Sequence, residues 1–238
     1  MNYAIADIHG MYDIYEQVCK ILKPEDKVYF LGDAGDRGPH GWRTIKAIYE
    51  NPQWIYLKGN HEDLMVWGLS QKVAKRKLQD CFELWMYNGG FETYRSWKQD
   101  GADPIWISRI NTLPLTAQYT NSQGTTFHLS HAGFTCGRKD EIQSDKLLWN
   151  RSHFFDKWDE DTYPKDICVH GHTPMEYLLD TLYAKKQDIE VTLPMAFSYC
   201  NGHKINIDNG VFYTNCTVLL NLDTLEVINL FSNSQEVE

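Results

Sequence analysis

Apolar residues recur along this chain in short runs of four or five, rich in β-branched and aromatic types, and each run ends on a polar residue that can bind a metal or a phosphate. The runs are Tyr3-Ala-Ile-Ala before Asp7 and His9, Val28-Tyr-Phe-Leu before Asp33, and Trp54-Ile-Tyr-Leu before Asn60 and His61; Thr126-Phe-His-Leu-Ser before His131 and Ile167-Cys-Val before His170 and His172 follow. Runs of this length and composition, bounded by Gly or polar residues, predict buried strands. Between the first three lie amphipathic stretches, with Ile14, Val18 and Leu22 on one face and Trp42, Ile45 and Ile48-Tyr49 on another, which predict helices. Strand, helix, strand, helix, strand favours a parallel sheet whose carboxyl-end loops gather into one site. From 62 to about 113 the pattern turns helical: Leu78, Phe82 and Trp85-Met86 share a face, Asn88-Gly89-Gly90 is expected to stop it, and Asp103-Pro104 to open a further short helix. The tail is strand-like again in Lys204-Ile-Asn-Ile, Val218-Leu-Leu-Asn-Leu and Glu226-Val-Ile-Asn-Leu-Phe, separated by Asp208-Asn-Gly and Asp223-Thr. The expectation is an α/β fold in which a second sheet packs on the first, with helices outside.

No repeat, low-complexity tract or Gly/Ser/Pro linker divides the 238 residues, so residues 1–238 read as one domain with a helical insertion at about 62–113 and a hairpin-like segment at about 175–203. The segment 175–203 carries Tyr177, Tyr183, Phe197 and Tyr199 and is read either as a rim for the site or as extra cover for the core. The 23 Lys+Arg against 32 Asp+Glu give a net charge of −9, which speaks against a broad basic footprint for nucleic acid or anionic lipid. No apolar stretch approaches the roughly 20 residues that span a bilayer, and no basic-flanked leader precedes Tyr3, so no membrane partner and a cytoplasmic location are expected. The six cysteines, Cys19, Cys81, Cys136, Cys168, Cys200 and Cys216, form no CxxC pair and read as reduced, buried thiols.

The residues that end the runs carry the chemistry. Asp7, His9, Asp33, Asn60, His131 and His172 supply three imidazoles, two carboxylates and an amide oxygen, a mixed N/O set that suits Mn, Fe or Zn. Six ligands exceed what one catalytic ion with open positions takes, and they serve two if Asp33 bridges. Two ions sharing a water lower its pKa and can each hold a phosphoryl oxygen. Arg37 and Arg151 would add positive charge and pair with phosphate oxygens, so an anionic substrate is compatible with the acidic chain.

The ordered string Asp7-Ile-His-Gly, Gly32-Asp-Ala-Gly-Asp-Arg-Gly, Gly59-Asn-His-Glu, His131-Ala-Gly and Gly171-His-Thr-Pro resembles the phosphoprotein phosphatase (PPP) family of metallophosphoesterases, its small bacterial and phage members in particular. Asn88-Gly-Gly, Leu113-Pro-Leu and Trp149-Asn-Arg extend the likeness over most of the chain. The resemblance implies a calcineurin-like metallophosphoesterase fold, a central two-sheet β-sandwich flanked by helices. It also implies two divalent ions, Mn2+ in the bacterial enzymes, and phosphomonoester hydrolysis by in-line attack of a metal-bridging hydroxide without a phosphoenzyme. It places Asp7, His9 and Asp33 on one ion and Asp33, Asn60, His131 and His172 on the other. His61 is then the general acid, Asp36 the carboxylate that orients it, and Arg37, Arg151 and Asn60 hold the phosphoryl group. The expected substrate is a phosphoserine or phosphothreonine protein or peptide. The alternatives are a dinucleoside polyphosphate and, in a different class, a non-catalytic phosphopeptide-binding module, which would need a missing ligand or acid. Asp36 before Arg37 and Glu62 after His61 favour the protein-phosphatase branch.

By spacing alone His170 could exchange with His172 as a ligand; the Gly171-His-Thr-Pro match favours His172. His40, His128, His153, His170 and His203 are otherwise expected to be structural. Ala6 stands where the family carries Gly before the first Asp, and Asn209 where it carries Thr. The first adds a methyl near the metal loop; the second touches loop geometry.

Overall fold

A computed structural model describes residues 1–70, 75–137, 143–183 and 193–233. Strands β1 (Asn2–Ile5), β2 (Lys27–Phe30) and β3 (Trp54–Tyr56) pair in parallel, with Tyr3 opposite Val28 and Phe30 opposite Tyr56. Helices α1 (Tyr12–Ile21) and α2 (Gly41–Glu50) make the two crossovers. On the far side of β1, β9 (Cys216–Asn221) and β10 (Val227–Phe231) add antiparallel strands and give the order β10-β9-β1-β2-β3. The second sheet has the order β4-β5-β6-β8-β7, built from β4 (Thr116–Thr120), β5 (Thr126–Ser130), β6 (Ile167–His170), β7 (Phe197–Tyr199) and β8 (Lys204–Asn206). Its three inner strands run parallel and its edges antiparallel.

The period-2 alternation of each strand sorts its side chains into layers. Tyr3, Ile5, Val28, Phe30, Trp54 and Tyr56 face the helices, in one core with Ile14, Val18, Trp42, Ile45 and Ile48. Ala4, Ala6, Tyr29, Leu31 and Leu57 face the other way and meet Phe127, Leu129, Val169 and Ile205 between the sheets. Ala6 thus packs in the sandwich interior, next to the site loop that it precedes. Phe30 is fully buried, and each side chain of that kind contributes roughly 1.5–3 kcal/mol relative to exposure.

The stretch expected as a helical insertion contains α3 (Asn60–Leu69), α4 (Lys75–Trp85), α5 (Phe91–Gln99) and α6 (Ile105–Asn111). Asn88-Gly89-Gly90 ends that helical run as expected: Gly89 leaves helical geometry at φ 97° and kinks the chain, and α5 starts afresh at Phe91. The Asp103 carboxylate accepts the Ile105 N–H, as an N-cap should. The segment 175–203 differs from the hairpin expected. Its first part is a helix, α8 (Met175–Tyr183), because Met175, Leu178 and Leu179 repeat at helical spacing and are buried together. Among its described residues a hairpin forms at the end, where β7 leads into β8; 184–192 lie outside the described residues. Strand β4 was not expected either: Thr116–Thr120 is an edge strand whose two apolar residues, Ala117 and Tyr119, are half-buried against the core between the sheets. Two short helices, α7 (Ser144–Trp149) and α9 (Val211–Thr214), complete the fold. Among the described residues no helix is long and apolar enough to cross a membrane.

Candidate active site

The loops leaving the carboxyl ends of β1, β2, β3, β5 and β6 meet at one edge of the sandwich, and they carry the residues singled out in the sequence. Backbone hydrogen bonds lace the first two: the amides of Asp7, His9 and Gly10 donate to the carbonyls of Gly32, Asp33 and Ala34 at 3.1, 3.0 and 2.7 Å. Glu62, in the first turn of α3, ties the second to the third. Its carboxylate accepts the amides of Asp33, Ala34 and Gly59 and the Tyr56 hydroxyl, all at 2.7–2.9 Å. These loops approach so closely that a Cβ on Gly59 would stand 2.2 Å from Asp33 Oδ1, and one on Gly171 would stand 1.9 Å from Asp7 Oδ2. The backbone bends to match: Asp7, His9, Asp33, Asp36, Arg37 and His172 all have positive φ, between 41° and 65°. Such conformations cost of the order of 1–3 kcal/mol each away from Gly and persist where surrounding bonds over-determine them.

Asp33 stands at the centre, and its two oxygens face two groups. Oδ2 lies 3.8 Å from both His9 Nε2 and His61 Nε2; Oδ1 lies 3.5 Å from His131 Nε2. The His131 Nδ1–H donates to the Leu31 carbonyl at 2.8 Å, so in the neutral ring Nε2 carries a lone pair. That nitrogen stands 2.7 Å from Asn60 Oδ1, which is also 2.8 Å from His172 Nδ1. On the other side, His9 Nδ1–H donates to Gly35 O, and the lone pair of Nε2 receives the Arg37 guanidinium at 2.7 Å. Acceptors that converge without protons between them call for cations, and Arg37 already meets one such group. His172 Nε2 is buried without a hydrogen-bond partner. The donor set therefore fits hard or borderline divalent ions, with Asp33 facing both groups of ligand atoms.

Ligand atoms close to within 4.8 Å in two sets, His9–Asp33–His61 and Asp7–Asp33–His131. Both sets share Asp33, and Asp7 is held by the His172 amide, which reaches its two oxygens at 3.1 and 3.0 Å.

The electrostatics follow from burial and charge crowding. Burial, with Asp208 and Asp33 nearby, pushes the Asp7 carboxyl well up. Burial also acts upward on Asp33, but the imidazoles of His131, His61 and His9 outweigh it and hold that carboxyl low. Burial depresses His9, helped by Arg37, and depresses His131 and His172. His61 goes the other way: burial opposes its charge, yet Asp33 and Asp36 raise it. Its Nδ1–H donates to Asp36 Oδ2 at 2.8 Å, and Nε2 accepts from Arg37 at 3.0 Å.

Arg37 and Arg151 are placed differently. Arg37 sits inside the cluster, whereas Arg151 is exposed at the rim with its guanidinium 5.5 Å above the Tyr177 ring. His170 does not join the ligands; its Nε2 accepts the Tyr199 hydroxyl at 2.8 Å, within a buried network that includes His153.

Three contributors escaped the sequence reading. The Trp85 indole donates to Asp36 Oδ2 at 2.8 Å, and the Thr93 hydroxyl accepts the Asp36 amide at 2.7 Å. Asp208 is buried close enough to Asp33, Arg37 and Arg151 to interact with each, and burial pushes it up to about 6 against the pull of the Gly210 amide. Asp208 and Trp85 were visible only as a turn residue and an apolar helix position.

A sandwich that presents two carboxylates, an amide and imidazoles around one shared Asp at its strand ends is a metallophosphoesterase. The chain belongs to the calcineurin-like phosphoesterase family, whose sequence profile matches residues 3–230. It is similar to a symmetrical bis(5'-nucleosyl)-tetraphosphatase of Legionella pneumophila, 31% identical over 71 residues; the match spans 29% of this chain and 26% of that relative. In fold it is similar to a solved structure described as a candidate diadenosine tetraphosphatase, with a TM-score of 0.60, 13% identity and coverage of 97% of this chain and 93% of that one. It is also similar in fold to a protein serine/threonine phosphatase of Saccharomyces cerevisiae, with a TM-score of 0.50, 15% identity and coverage of 100% of this chain and 81% of that one. The family uses divalent metals.

Proposed function

We propose that this chain is a cytoplasmic phosphomonoesterase that removes phosphate from phosphoserine and phosphothreonine in proteins, with two divalent ions, Mn2+ by preference, held by Asp7, His9, Asp33, Asn60, His131 and His172. Divalent ions bound there supply an acidified water as nucleophile and draw charge from the phosphoryl oxygens. Arg37 and Arg151 grip the phosphoryl group from the two sides of the site, with Asn60 beside it, and orient it for in-line attack. As the bond from phosphorus to the serine oxygen breaks, His61 gives its proton to the departing alkoxide. Asp36 keeps the His61 ring turned with Nδ1–H toward itself, so that Nε2 faces the cluster.

The observation that carries this reading is the His61–Asp36 pair, fixed by the Trp85 indole on the same carboxylate oxygen. A serine alkoxide leaves poorly, and protonating it is worth about 10²–10⁴-fold. A nucleotide anion leaves readily and gains little from such an acid.

A second reading, hydrolysis of dinucleoside polyphosphates, is favoured by the 71-residue match to the symmetrical tetraphosphatase. One assay decides between them. Purified, manganese-loaded protein is given a phosphoserine peptide and diadenosine tetraphosphate at equal concentration. Phosphate release from the peptide should exceed ADP release from the dinucleotide; the reverse order would establish the second reading.

A further inference from the structure

The described residues hold a third set of metal-ligand atoms, away from the convergence at Asp33. His128, Cys136 and Asp166 bring one nitrogen, one sulfur and one carboxylate oxygen within 4.8 Å of one another. They come from three places in the second sheet: the middle of β5, the loop that follows His131, and the residue just before β6. His128 points off the outer face of its strand, since its neighbours Phe127 and Leu129 fill the space between the sheets. His128 and Cys136 are buried, and both line a cavity of about 570 Å³ that Gln118 and Tyr163 also border. Cys136 is a free thiol.

We propose that His128, Cys136 and Asp166 bind a zinc ion that clamps the loop carrying His131. One imidazole, one thiolate and one carboxylate are a borderline-soft set that suits zinc, with water as the fourth ligand, for which the cavity beside His128 and Cys136 has room. Ligand atoms around tetrahedral zinc stand about 3.3–3.7 Å apart, given metal–ligand bonds of about 2.0–2.3 Å. The hydrogen-bonded His128 Nε2–Asp166 Oδ2 pair, now 2.6 Å apart, has to open by less than about 1 Å when the ion takes the place of the hydrogen. Gln118 Nε2 donates to His128 Nδ1 at 2.9 Å; zinc at His128 Nε2 requires this amide to turn its oxygen to the ring, where it accepts Nδ1–H and fixes the tautomer that leaves Nε2 for the metal. His203 Nδ1 donates to the Asp166 carbonyl at 2.8 Å and holds that end of the site. Burial keeps the Cys136 thiol protonated without metal, its pKa raised to about 12, so zinc must displace that proton on binding.

The ligands proposed for the active site include no sulfur, which gives this second site its own signature. Full-length, metal-stripped protein is titrated with Co2+ as a probe for zinc, and absorbance is followed in the near ultraviolet, where thiolate-to-cobalt charge transfer appears. Wild type should develop that band, and Zn2+ in excess over all the metal positions should erase it. Cys136→Ser and His128→Gln should each lose the band while taking up the remaining cobalt, with an unchanged far-ultraviolet circular dichroism spectrum. Gln118→Leu, remote from the ion itself, should keep the band and weaken zinc by roughly 10–100-fold. A wild-type protein that binds cobalt with no charge-transfer band, or a band that survives in Cys136→Ser, would overturn the assignment. Should either ligand variant fail to fold, the Gln118→Leu titration and the wild-type band decide alone.

Discussion

The two arginines that face the cluster come from opposite halves of the molecule, and their surroundings differ. Arg37 belongs to the laced loops of the first sheet. Its amide donates to the Gly89 carbonyl at 2.9 Å, its φ is 62°, and its guanidinium bonds two imidazoles. Arg151 follows α7 beside the second sheet and touches an aromatic ring at the rim. One charge is held in place by bonds to both imidazoles, while the other is exposed and, on the proposed function, is ordered when substrate binds. The first half thus resembles a template and the second an adjustable jaw, which places the ordering cost of substrate binding on the Arg151 side.

The comparison can be broken at its centre. Replacing Asp33 with Ala removes the carboxylate that faces both ligand groups, and hydrolysis should fall to background with loss of bound metal, as measured by kinetics and elemental analysis on the same sample. Less drastic is His61→Asn, which should slow a phosphoserine peptide by about 10²–10⁴-fold but p-nitrophenyl phosphate by less than about tenfold, because that leaving group hardly needs a proton. Equal losses on the two substrates would remove His61 from the acid role. The arginines separate the halves directly. Each loses charge-assisted bonds worth about 1.5–3 kcal/mol, or roughly 10–150-fold in kcat/KM. Arg151→Ala should take its loss mainly in KM with metals retained, whereas Arg37→Ala should lower kcat as well, since its guanidinium also contacts His9 and His61. The smallest effect is expected from Trp85→Phe, which removes one bond to Asp36 and should cost about 1 kcal/mol, a roughly fivefold drop confined to substrates with poor leaving groups.

Much of the candidate site is legible because each of these candidate ligands follows a buried strand within four residues: Asp7 after β1, Asp33 after β2, Asn60 after β3, His131 after β5 and His172 after β6. A parallel core gathers such positions whatever else the chain does. What stays hidden acts across the fold. Trp85 reaches an aspartate forty-nine positions away, and its helical pattern announces only an apolar face. Glu62 reads as a residue that marks a branch of the family, yet its four accepted bonds tie loop to loop. The same holds for Cys136, which no spacing rule pairs with His128 and Asp166. Strand β4 is hard to read for another reason: its alternation rests on two apolar residues, Ala117 and Tyr119, set among Thr and Gln, too few to stand out as a run.

The lacing of the site loops also reverses an ordinary expectation about which parts of a protein breathe. Amide protons in connecting segments usually trade with solvent quickly. Here those of Asp7, His9, Gly10, Asp33, Ala34, Gly59 and His61 are all buried and all donate to a carbonyl or a carboxylate. In deuterated water they should keep their hydrogen as long as the central strands do, so that a protection map drawn for this enzyme would mark its reactive edge among the last regions to open.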